Sequence, residues 1–80
     1  MFLEIITPEK TVYTGEIKLI RVPGSDGSFE VLSNHAPIIS TLTKGDIKVV
    51  TEDDNENHFE INGGVIEIKE NKIIVLGEFN

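Results

Sequence analysis

The chain has no cysteine and no tryptophan, and only one tyrosine. Without cysteine there can be no disulfide staple and no zinc site built on thiolates; reduced thiol-free chemistry also fits an intracellular protein. The longest aliphatic run in the C-terminal half, residues 73–76, is far short of the ~20 apolar residues that a membrane helix requires. Positive charge is scarce, with 7 Lys and Arg against 14 Asp and Glu and a formal net charge of −7. That balance argues against nucleic acid, whose affinity comes from cations neutralising phosphates, and against direct insertion into or adsorption on an anionic lipid surface. The first residues, Met1-Phe2-Leu3-Glu4, have neither a basic region nor an apolar stretch, so no secretory signal is expected.

Eighty residues make one domain, 1–80, with a small core. A chain of this length buries roughly 60% of the surface its unfolded form exposes, so packing and ladder hydrogen bonds must hold it. Period-two alternation dominates, and no stretch sustains helical spacing. Strands are predicted over residues 2–6, 11–14, 16–22, 29–32, 38–42, 46–51, 58–62, 65–69 and 73–76. Turns fall at residues 7–10, where Pro8 cannot donate to a ladder, at 23–28, at 33–37 and at 70–72. Residues 38–42 and 46–51 read as a hairpin pivoting on Lys44-Gly45. Residues 52–57 are acidic and breaker-rich, so they read as a solvated loop. In 16–22 the apolar residues change face, Ile17 and Leu19 on one side and Ile20 and Val22 on the other, which predicts a bulge or twist. Gly63-Gly64 allows a bulge or a tight reversal, and residues 73–76, apolar on both faces, read as a central strand. Short strands with turn signals every 8–12 residues are the signature of an all-β sandwich or barrel.

Few side chains could carry chemistry. Gly24-Ser25-Asp26-Gly27 superficially resembles an anion-binding nest, but it lacks the Lys-Ser/Thr ending and following helix of a phosphate loop. Gly24 and Gly27 are better read as turn glycines, with Asp26 capping the turn. His35 has no nucleophile or second base beside it in sequence. Ser33 is close, but on extended backbone the two alternate in direction. A locally bonded histidine or a partner contact is the expected role, on a corner made rigid by Pro37. Glu52, Asp53, Asp54 and Glu56 lack the central glycine and flanking helices of a calcium loop. No catalytic residue, cofactor or metal is expected.

The stretches L-E-I-I-T-P at 3–8, Y-T-G-E at 13–16, V-P-G-S-D-G-S-F-E-V-L-S-N-H-A-P at 22–37, K-G-D-I-K-V at 44–49, F-E-I-N-G-G-V-I-E-I at 59–68 and K-I-I-V-L at 72–76 occur in order along nearly the whole chain. Together they resemble the N-terminal β-sandwich of the epsilon subunit of F-type ATP synthase. The resemblance implies a flattened sandwich of two antiparallel sheets with about ten strands. It implies a non-catalytic rotor subunit linking the gamma subunit to the membrane c ring, in a peripheral complex on the cytoplasmic face of the inner (plasma) membrane. By matching position, Ser25, Asp26, Gly27, Ser28 and Phe29 would face the c ring, and Thr7, His35 and Ser40 would face gamma. Gly24, Pro37, Gly63 and Gly64 would be structural turn residues. The family usually continues into a two-helix hairpin that these eighty residues do not contain, so no nucleotide site is carried over, and Glu30 stands where the family commonly has glycine. A gamma-facing sheet should expose an apolar patch. The competing reading is a free-standing module for a small ligand or glycan, which would present exposed aromatics.

Overall fold

The computed structural model describes residues 1–79; Asn80, the last residue of the expected 1–80 domain, lies outside them. All regular structure is strand: β1 (Phe2–Ile6), β2 (Thr11–Gly24), β3 (Gly27–Leu32), β4 (Ile38–Leu42), β5 (Gly45–Thr51), β6 (Glu56–Lys69) and β7 (Lys72–Phe79). The expected all-β sandwich is present, but in seven continuous strands rather than eight to ten short ones. The difference lies in β2 and β6, each 14 residues long. Gly15 interrupts nothing, since it pairs with Leu3 inside the β1–β2 ladder. Of the two readings of Gly63-Gly64 the bulge is the one found, at Ile61/Gly63, so each long strand runs on from one layer into the other.

The registers define those layers. In the first, residues 11–16 of β2 pair with β1, β1 with β7, β7 with residues 61–69 of β6, and residues 64–68 of β6 with β4. In the second, β3 pairs with the C-terminal half of β2, which pairs with β5, which pairs with residues 56–61 of β6. Bulges mark the long strands: the β6–β7 register slips between Ile61 and Gly63, and the β2–β5 register between Ile17 and Leu19. The second slip explains the change of face foreseen in residues 16–22, because it lets Ile17, Ile20 and Val22 all point inward while Leu19 stays half-buried on the outside.

Two expectations about pairing are corrected. The β4 and β5 strands do not form a hairpin, since each pairs with β2 and β6 and neither with the other. Their connection crosses between layers because β2 captures its backbone: Thr43 N donates to Pro23 O (2.8 Å) and Ser25 N donates to Thr41 O (3.0 Å). One pair, β1 with β7, is parallel rather than antiparallel. Strands at the two ends of the chain have no tight turn between them to force reversal. The loops also shrink, from 23–28 to Ser25-Asp26 and from 52–57 to residues 52–55.

Every strand contributes to one core. Leu3, Ile5, Ile17, Ile20, Val22, Val31, Ile47, Val49, Ile66, Ile73 and Val75 are fully buried. Burying each such side chain contributes about 1.5–3 kcal/mol, and no polar side chain among the described residues is buried to offset it. Tyr13, Phe29, Phe59 and Phe79 pack against this core, Tyr13 and Phe59 edge to face at 5.8 Å. Four of the five aromatic rings are therefore committed to packing.

Candidate functional site

Two surfaces stand out, and they adjoin. The first is the β2–β3 tip. Gly24 faces Gly27 across the ladder, leaving Ser25-Asp26 as a two-residue connection. Ser25, Asp26, Gly27 and Ser28 are exposed, while Gly24 is buried. A Cβ on Gly24 would lie 2.6 Å from Gly27 O and 2.8 Å from the Phe29 ring, so only glycine lets Phe29 fold back over the turn. The tip is braced from the side by the Ser25 backbone bond already described and by Thr41 Oγ1, which donates to Ser25 Oγ at 2.9 Å. A short turn tied to a neighbouring strand loses little entropy on binding.

The second surface begins at the same brace. Thr41 lies opposite Val65, Val65 opposite Leu76, and Leu76 opposite Ile6. These residues point away from the core on the outside of the first layer, with Ile39 one row along β4. Ile39 is 72% exposed, Leu76 47% and Val65 38%. Glu67, Ile74 and Glu4 form the next row, and Lys72 bridges to Glu4 at 3.5 Å on the rim. The outer face thus carries an apolar stripe with a charged border.

Residue-level reading of the sequence did not find Ile39, Val65 or Leu76. The available signal was the second apolar face of residues 73–76. It correctly indicates a central strand, since β7 lies between β1 and β6, but among the described residues nothing covers its outward side.

Other residues singled out earlier are scattered. Thr7 holds the β1–β2 turn together, its Oγ1 accepting from Glu9 N and Lys10 N at 3.2 and 3.1 Å. Ser40 alternates with outward Ile39 and Thr41, so it sits on the inner side of β4, half-buried. His35 is at the opposite end of the slab from the tip. Its Nδ1 lies 2.7 Å from Ala36 O, a local bond of the kind expected, and Asn34 N donates to Asn71 Oδ1 at 3.1 Å, tying this corner to the β6–β7 turn. Pro37 opens β4 from an exposed position. Thr7, His35 and Ser40 therefore do not form one cluster, whereas Ser25–Phe29 do. Glu30, in the place of a family glycine, pairs regularly opposite Arg21.

The outer face of the second layer carries its own apolar row, Leu32 (54% exposed) opposite Leu19 and Leu19 opposite Val50, beside a charged group. His58 Nδ1 lies 2.8 Å from Asp46 Oδ2, with Glu56 3.4 Å from Nε2, and Lys48 stands opposite His58 in the ladder. The hydrogen bond that protonated His58 donates to Asp46 raises the His58 pKa above its ordinary 6.5, with burial opposing and the charges of Asp46 and Glu56 adding to it. A raised folded-state value means that the bond stabilises fully below 6.5 and that its contribution fades as pH rises through the folded midpoint. The side chain is exposed, so the effect on stability is small. Titration by NMR should place the His58 midpoint above 6.5, and Asp46→Asn should lower it. An unchanged midpoint in that variant would mean that the carboxylate is not its cause. In the acidic loop Asp54 pairs with Lys18, and Asp53 accepts bonds from Thr51 and Asn55.

Comparison with known proteins agrees with this architecture. The family described as ATP synthase, delta/epsilon chain, beta-sandwich domain matches residues 1–79. The ATP synthase epsilon chain of Chlorobium limicola is 38% identical over 76 residues, covering 95% of this chain and 86% of that protein. Two solved structures share the fold. One is from the Euglena gracilis mitochondrial ATP synthase (OSCP/F1/c-ring, rotational state 1), with TM-score 0.89, 17% identity and 94% of this chain covered. The other is from the Tetrahymena thermophila mitochondrial ATP synthase (central stalk/c-ring), with TM-score 0.80, 15% identity and 96% covered. This chain spans 48% and 62% of those two chains, respectively.

Proposed function

This chain belongs to the family of ATP synthase delta/epsilon-chain β-sandwich domains, and from that premise we propose that it is a non-catalytic part of the central stalk, holding a gamma-type subunit against the membrane c ring. It thereby helps couple ion flow to ATP synthesis, as a peripheral component on the cytoplasmic side of the membrane. The observation that carries this reading is the adjacency of two unlike surfaces: a braced polar tip and an exposed apolar stripe, joined through Thr41.

A part that transmits torque must grip on two sides without slipping. The stripe of Ile39, Val65 and Leu76 suits the larger subunit, because apolar surface supplies association energy. The tip, Ser25–Phe29, suits the polar loops of the ring, since a rigid hydrogen-bonding turn supplies orientation more than affinity. Thr7, His35 and Ser40 would help mainly by holding loops and the β4 edge in place. Specific interfaces bury ~800 Å² per partner; two of these would cover a large share of the 4744 Å² surface. Assembly would then stabilise the small domain by mass action.

Co-purification tests the reading. The intact chain should retain a gamma-type subunit and, with it, the c ring. Asp26→Lys should leave gamma bound and the circular-dichroism spectrum unchanged, while weakening retention of the ring and ion pumping by the reassembled enzyme. Normal pumping by that variant would remove the tip from the ring contact. Failure of the unaltered chain to hold gamma would overturn the whole assignment.

A further inference from the structure

We propose that Asn62 is a site of spontaneous modification, losing its side-chain amide as ammonia through a cyclic imide formed with Gly63 and leaving a carboxylate in the groove between β6 and β7. Asn62 is the one asparagine in the chain followed by glycine, and glycine has no Cβ to crowd the attacking nitrogen. Position in the fold adds to this. The pairing passes from Ile61↔Phe79 to Gly63↔Glu78, so Asn62 is the extra residue of a bulge, where the ladder is disrupted and the strand bends. Asn62 is exposed, so water reaches the ring once it has formed.

In the first step the Gly63 nitrogen bonds to Asn62 Cγ and the Cγ–Nδ2 bond breaks. The departing NH2 takes the Gly63 amide proton and leaves as ammonia. In the second, solvent water adds to one ring carbonyl. Opening at Cγ gives aspartate in the original chain; opening at the main-chain carbonyl gives isoaspartate, with the backbone rerouted through the side chain. Each product carries one more negative charge, and the only co-reactant is water. The new carboxylate faces a groove of about 430 Å³ lined by Pro8, Gly64, Val65, Leu76 and Glu78, at the end of the apolar stripe. Its effect on docking rests on the function proposed above, because a charge there must be desolvated when an apolar partner covers it.

The test ages the folded protein in mildly alkaline buffer beside an Asn62→Gln variant. Ion exchange should resolve a species with one negative charge more than the formal −7. Peptide mass mapping should place the amide-to-acid change at Asn62, and Asn62→Gln should show neither. Conversion spread equally over Asn34, Asn55, Asn57 and Asn71 would overturn the proposal, as would a folded sample that stays unchanged while a denatured one converts. Asn62→Asp, tested for gamma retention beside unmodified protein, reads the consequence separately. Reduced retention supports it and equal retention refutes it, whereas loss of retention by the unmodified protein counts against the docking role alone.

Discussion

Gly64→Val should unfold the domain or bring it to the edge of unfolding. A Cβ at Gly64 would sit 2.4 Å from Leu76 O and 2.9 Å from Gly77 Cα. Both obstacles are backbone atoms of β7, so no side-chain rotation can relieve the clash. Relief requires separating β6 from β7 at Gly64↔Gly77, beside Val65↔Leu76. Because β7 also carries β1, the damage spreads through the first layer. Overpacking in a tight core costs about 1–3 kcal/mol and sometimes more; rigid backbone on both sides puts valine here at the upper end. An 80-residue domain has roughly 4–12 kcal/mol in total. The melting temperature should therefore fall by about 10–20 °C. Gly27→Ala is the control: Gly27 has φ +126° but nothing within 4 Å of an added Cβ, so that change costs only ~1 kcal/mol of backbone strain. Equal melting of the Gly64→Val and parent proteins would show that β6 and β7 are not so close.

The second large effect concerns binding. Leu76→Glu should abolish measurable capture of a gamma-type subunit while leaving the isolated domain folded. Leu76 is 47% exposed at the centre of the stripe, with Val65 and Ile6 opposite it on the two flanking strands. Being outside the core, it can accept a carboxylate without a cavity or a buried charge in the free domain. Under a partner the same carboxylate would be desolvated beside apolar side chains. Truncating a central anchor costs ~2 kcal/mol or more, and a buried unpaired charge adds to that, so affinity should fall by at least about a hundredfold. Capture by Leu76→Glu within a few-fold of the parent would detach the stripe from the proposed interface. Ile39→Glu, on the β4 edge, should have a weaker effect, because rim positions retain access to water.

Legibility in the sequence followed the range of the interactions. The tip was readable because its turn is set by adjacent residues: Gly24, Ser25, Asp26 and Gly27 specify the connection among themselves. The core alternation in residues 58–62 and 65–69 was readable for the same reason, each strand advertising its own inner face. The relation of residues 38–42 to 46–51 was misread because closeness in sequence suggested a hairpin. The outcome was decided by Pro23 O and Ser25 N, which bind Thr43 just past β4 and Thr41 near its end and which lie well earlier in the chain. The scatter of Thr7, His35 and Ser40 could not be foreseen either, because their separation depends on which strands become neighbours.

Composition, period-two patterning and turn chemistry by themselves determined an all-β, disulfide-free acidic domain with an exposed rigid tip, since each of those properties is settled within a few residues along the backbone. Tertiary structure alone decided which strands pair, that β1 and β7 run parallel, that two long strands cross between layers, and that Ile39, Val65 and Leu76 end up uncovered. An apolar side chain on a strand looks the same in sequence whether it faces the core or the solvent. Only the second layer, present on one side of the sheet and absent on the other, tells the two apart.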